Sequence, residues 1–156
     1  MIAVGLIATK LGGRLFWLLP ILFIGGMSAG GVAAAALHVG GSAGIVEQSI
    51  AASVVVFGLL MIGVDRVPSR LAIVLVPAFA TFHGFAHLAE RTANPSESPA
   101  VYVIGLMASS LAVLASGAFA GVLLRPTQSA GVTWRLAGGA VAATGLFLMA
   151  TAVRFG

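Results

Sequence analysis

The chain has 156 residues, 60% of them hydrophobic and 8% charged, with a mean hydropathy of +1.12. A soluble domain of this size cannot hide so much apolar surface, because small globules leave a large share of their residues facing solvent; the composition points to lipid as the solvent. Eight Lys/Arg against four acids put the pI near 11.3, but the cations stand singly between apolar runs and make no basic face for nucleic acid.

The absence of Cys excludes disulfides, thiolate metal sites and Cys nucleophiles. No basic residue precedes the first apolar stretch and no polar cleavage region follows it, so no signal peptide is visible.

Crossing about 30 Å of hydrocarbon at 1.5 Å per residue takes about 20 apolar residues. In chain order, Met1 to Thr9 is apolar but reaches only ~14 Å as a helix, so it reads as the back half of a longer first helix. Five complete spans follow, at approximately Leu15–Ala36, Ile45–Val64, Leu71–Ala89, Ala100–Leu124 and Trp134–Val153. The connectors between them are short and rich in Gly, Pro, Ser and charge. The expected fold is an all-α integral membrane protein, a polytopic helix bundle of five complete transmembrane helices plus a partial first helix. It forms one transmembrane domain over residues 1–156.

Lys10, Arg14, Arg66, Arg70, Arg125 and Arg135 fall at one end of the spans, and Arg91 and Arg154 at the other. Lys and Arg mark the cytoplasmic side, so the first helix begins outside and the C-terminus is also external. Trp17 and Trp134 lie beside the inner cations, where an indole suits the headgroup boundary. Gly26-Met-Ser-Ala-Gly30 and Gly117-Ala-Phe-Ala-Gly121 carry the small-residue spacing that lets helix backbones approach in lipid. Pro20 and Pro77 sit inside spans, where each removes a backbone hydrogen bond and favours a kink.

The informative polar residues end the third span. His83, His87 and Glu90 are four and three residues apart, on one helical stripe. Ionisable groups inside spans are expensive and usually face a cavity or pathway. Two imidazoles with a carboxylate suit Ni, Zn, Cu or Fe. The topology carries this stripe to the outer half of the membrane, with His83 about 10 Å deeper than Glu90. Glu47 opens the second span at that end and His38 closes the first, so both join the candidate set, His38 as the weaker member. Asp65 is left inside among arginines.

The segments FHGFAHLAE, GIVEQSIAASVVVFGLL and GGRLFWLLPILFIGGMSAGG resemble the HupE/UreJ family of hydrogenase and urease accessory membrane proteins, taken to be nickel or cobalt permeases. The resemblance implies His83, His87, Glu90 and Glu47 as metal-site residues, with Ni²⁺ or Co²⁺ as the transported ion rather than a tightly bound cofactor. It implies a multi-pass protein of the bacterial inner membrane, with a divalent ion and the bilayer as partners, and with homo-oligomerisation left open. The family's His-Pro and Asp-His motif, which precedes a segment like Met1 to Ala8, is missing here, and Leu88 and Leu114 stand where the family often has Gly and His. The expectation is therefore that the natural gene product starts upstream.

Two other readings compete. A structural or accessory subunit needs no ion path. An intramembrane metalloenzyme would use His83 and His87 to hold Zn²⁺ or Fe²⁺, with Glu90 or Glu47 as base, but no further His lies inside a span to complete its ligand set. Two His four apart on one helix also cannot be opposite axial ligands of one haem. The expectation is a permease, not an enzyme, and no nucleotide-binding motif supplies ATP.

Overall fold

The structure is a computed structural model. It describes residues 1–37, 43–63, 65, 68–93, 98–124 and 130–155, with the side chains at 37, 43, 90, 92, 93, 130 and 153–155 outside the description. Six helices follow in order: α1 (Ile2–Leu11), α2 (Leu15–Leu37), α3 (Ala43–Gly63), α4 (Ser69–Ala93), α5 (Pro99–Leu124) and α6 (Ala130–Phe155). Five are long and apolar enough to span a membrane, and α1 is the short apolar helix. The expected class and the partial first helix are both present.

The helix ends follow local chemistry more than the apolar runs do. At the end of α1, Gly12 (φ 65°) and Gly13 (φ 54°) turn the chain, and Gly12 N–H donates to Ala8 O at 2.9 Å. Left-handed backbone costs an L-residue side chain that glycine lacks. Pro99 starts α5, where a missing N–H and a preset φ are harmless, and Tyr102 N–H closes the first turn on Ser98 O at 3.1 Å. Helix α4 continues through Pro77 to Ala93, four residues past the expected end of its apolar run, because polar residues leaving the bilayer do not interrupt backbone hydrogen bonding. Helix α6 begins at Ala130, four residues before Trp134, for the same reason.

Helices pack most closely as three pairs, α3 with α6, α2 with α4, and α1 with α5. Each pair meets at glycines whose missing Cβ would run into the neighbouring helix, at all but Gly121 into its backbone. Gly26 lies on Pro77, Gly30 on Thr81, and Gly84 on Met27 and Gly31. Gly5 lies on Leu114, Gly117 on Ile2, and Gly121 on Thr9. Gly58 and Gly138 face each other, and Gly145 lies on Val55 and Ala51. The rising registers make α1·α5 and α2·α4 parallel, and the opposed register makes α3·α6 antiparallel. Strict up–down alternation across a bilayer requires this combination. Large apolar side chains such as Ile21, Val32, Phe119, Leu136 and Phe147 point outward, the arrangement expected where lipid gives helices little hydrophobic reason to associate and close packing replaces it.

The short α1 is the innermost element. Residues Ala3 to Thr9 are all buried, among Leu19, Phe23, Met61 and Leu114 from the surrounding helices. Thr9 Oγ1 donates to Gly5 O (3.0 Å) and to Ala118 O (3.1 Å), so its hydroxyl ties α1 to α5 without an unpaired group in the core. One turn on, Lys10 pairs with Asp65 at 3.2 Å and lies 5.7 Å from the Trp134 ring centroid. Asp65 and Arg135 also line one small groove of 310 Å³. The ends of α1 and α3 and the start of α6 thus share one side, as the cation count requires.

The α2–α4 crossing yields a direct test. A side chain at Gly84 would overlap Met27 backbone, whereas one at Gly105 meets nothing within 4 Å. Overpacking costs about 1–3 kcal/mol where side chains can move, and more against a rigid helix backbone. Gly84→Val should lower the thermal midpoint of the purified protein in detergent well below that of Gly105→Ala, which should match wild type. Equal midpoints for the two would contradict the crossing.

Candidate metal site

The candidate residues of α4 owe their placement to the glycine between them. Gly84 presses that turn onto Met27 of α2, which fixes the rotation of α4 and so the direction of the flanking residues His83 and His87. The backbone of Gly84 also lies within 3.7 Å of a Cβ built at Gly31. Toward the start of α4, Gly26 against Pro77 and Gly30 against Thr81 continue the same seam.

His83 is half-buried, with its ring edge-on to Phe23 of α2 at a centroid distance of 5.7 Å. Its Nδ1 lies 3.2 Å from Phe79 O. A carbonyl can only accept, so Nδ1 carries the proton of this contact, and in the neutral ring Nε2 holds the lone pair. This is the usual outer support of a ligating imidazole, which fixes the tautomer and orients the ring. The carbonyl also draws on an otherwise internal helix acceptor, so the support needs no additional side chain.

His87, one turn further along α4, is likewise half-buried. Its turn is joined to α5 by Tyr102, whose hydroxyl donates to His87 O at 2.7 Å, and Arg91 lies 5.9 Å from the Tyr102 ring centroid. The sequence reading missed Tyr102. The available signal was a lone Tyr at a span end, where an aromatic ring with a polar tip anchors at the membrane boundary.

The other expected members are placed differently. Glu47 is exposed on α3 and lines a 380 Å³ groove with Leu148, Thr151 and Ala152 of α6, so its surroundings come from α6. His38 and the side chain of Glu90 lie outside the described residues. Among the described residues, no three His, Asp or Glu side chains stand close enough to hold one ion. The described core of the site is therefore the His83–His87 stripe, backed by Phe23, Phe79 and Tyr102. A 640 Å³ groove between α2 and α5 is lined by Phe16, Trp17, Pro20, Ile21, Phe119 and other apolar residues. It offers no charge or lone pair to a cation and suits lipid chains.

Chemically, two imidazoles suit a borderline divalent transition metal better than Mg²⁺ or Ca²⁺, which take oxygen ligands.

The sequence profile described as HupE / UreJ protein matches residues 1–148 of the chain. Protein HupE of Rhizobium leguminosarum bv. viciae is 38% identical over 153 residues, which cover 96% of this chain and 75% of that protein. No solved structure matches the chain. On the extent of the profile match and the identity to a relative along nearly its whole length, the chain belongs to the HupE/UreJ family.

Proposed function

We infer that the protein is a membrane permease or facilitator that accepts Ni²⁺, or alternatively Co²⁺, at its outer side and passes it toward the cytoplasm for maturation of a metalloenzyme such as a hydrogenase or urease. The observation that carries this reading is His83, an intramembrane imidazole whose Nδ1–H is held by Phe79 O, leaving Nε2 for an ion. Family membership supports a membrane accessory or transport role over a catalytic one.

In this account His87 receives the ion first, because it lies one turn nearer the outer end, and His83 draws it into the span. Glu90, one turn further out on α4, supplies a carboxylate that lowers the cost of bringing a dication to the boundary. Glu47 contributes a second negative charge from α3 at the same end, and His38 the weakest contribution. Among the described residues no three His, Asp or Glu enclose one ion, which suits the exchange between ligands that permeation demands.

His83→Ala and His87→Ala should each reduce ⁶³Ni uptake by about tenfold or more in cells lacking other nickel transporters, with membrane levels of the protein unchanged. His38→Ala should have a smaller effect. Wild-type uptake by the double variant His83→Ala/His87→Ala would refute the assignment.

The direction of transport rests on orientation. Lys10, Asp65 and Arg135 share one end, and the excess of Lys/Arg assigns that end to the cytoplasm, with the C-terminus outside. In a chain without Cys, Ser98→Cys should react with an impermeant maleimide in intact cells and Ser69→Cys only after permeabilisation. The reverse pattern would invert the topology.

A further inference from the structure

We propose that Ser110 Oγ of α5 and Met27 Sδ of α2 form a second ion-binding station, which takes the divalent ion from His83 on its way into the bundle. This deepens the transport reading above and rests on it.

The first observation is an unusual hydroxyl. Within spans a serine hydroxyl ordinarily donates to a carbonyl one turn back in its own helix. Ser28 does so to Ile24, Ser49 to Ile45, Ser109 to Leu106 and Ser116 to Val113. Ser110, only 1% exposed, instead donates across the bundle to Met27 Sδ at 3.7 Å. A thioether is a weak acceptor, so the side chain forgoes a good bond to sit beside sulfur. Thr9, the buried hydroxyl of α1, differs: two carbonyls surround it, as suits a packing device.

The second observation is position. Met27 is also 1% exposed, and its carbonyl is the group that a Cβ at Gly84 would strike. One turn away on α2, Phe23 lies against the His83 ring. The histidine and the sulfur–oxygen pair are therefore joined through a single turn of α2, at one depth in the bundle. Ser110 lies seven residues, about 10 Å along α5, outward of Gly117, where Ile2 of α1 packs. The pair thus sits between α2 and α5, beyond the level at which Ile2 packs on Gly117.

The third is ligand chemistry. A hydroxyl oxygen and a thioether sulfur are neutral, so an ion arriving from His83 meets ligands weak enough to release it. Sulfur favours a borderline ion such as Ni²⁺ over a hard one such as Mn²⁺. A charged second site would hold the ion more tightly than the imidazoles that deliver it.

The test is initial-rate uptake of Ni²⁺ and Mn²⁺ by wild type, Ser110→Ala, Met27→Leu and the double variant, normalised to membrane protein, with the thermal midpoint of each purified protein. Met27→Leu nearly conserves volume and decides the matter if Ser110→Ala is poorly folded. The expected result is a fall in maximal Ni²⁺ rate of about tenfold, with KM for Ni²⁺ within about twofold, because capture by His83 and His87 is intact. Met27→Leu should also narrow the preference for Ni²⁺ over Mn²⁺, which a packing defect would not do. Unchanged maximal rates and selectivity, or losses that track the thermal midpoint alone, would overturn the station while leaving the transport reading standing. Absence of Ni²⁺ uptake by wild type would overturn both.

Discussion

Backbone-to-backbone contact at glycine is the constraint on which the rest of this molecule depends. In lipid, apolar side chains gain little by leaving their neighbours for another helix, so association rests on dispersion between surfaces that approach closely. All three tight pairs use this device, and at Gly84 it serves the candidate site directly. The same residue that lets α4 settle onto Met27 fixes which way His83 and His87 face. Packing and ligand geometry are therefore not separable there: a side chain that pushed α4 away would also swing both imidazoles.

The second consequence concerns the centre of the bundle. Helix α1 fills it along the C-terminal half of α5, through Gly5, Thr9, Gly117 and Gly121, and its end is tied by Lys10 to Asp65. Val4, Ile7, Leu19 and Phe23 close the space around it. The Lys10–Asp65 pair is partly exposed, and such pairs are worth only about 0–1 kcal/mol, so α1 is held mainly by its buried contacts.

Much of this was legible in the sequence, for identifiable reasons. Span length is dictated by bilayer thickness, and the five helices and the short first one follow from counting apolar residues. The positive-inside bias pointed to a shared end, and Lys10, Asp65 and Arg135 meet there. Gly26, Gly30, Gly117 and Gly121 were readable as packing residues, although spacing alone says nothing about partners: the first two face α4 and the others face α1. Gly84 escaped notice because it stands alone between two histidines rather than in a repeated small-residue motif. The surroundings of Glu47 were equally invisible, since its neighbours Leu148 and Thr151 lie about a hundred residues along the chain and only the α3–α6 register brings them together. Ser110 reads as one of many span serines until the direction of its hydroxyl is known.

The central claim is that the imidazoles of His83 and His87 ligate a divalent transition metal within the membrane span. X-ray absorption at the nickel edge, on purified protein loaded with one equivalent of Ni²⁺, tests this most directly. The account predicts imidazole scattering in the wild-type spectrum that is lost in His83→Ala/His87→Ala, whose bound nickel should fall as well. A wild-type spectrum with oxygen ligands alone, or one unchanged in the double variant, would contradict it.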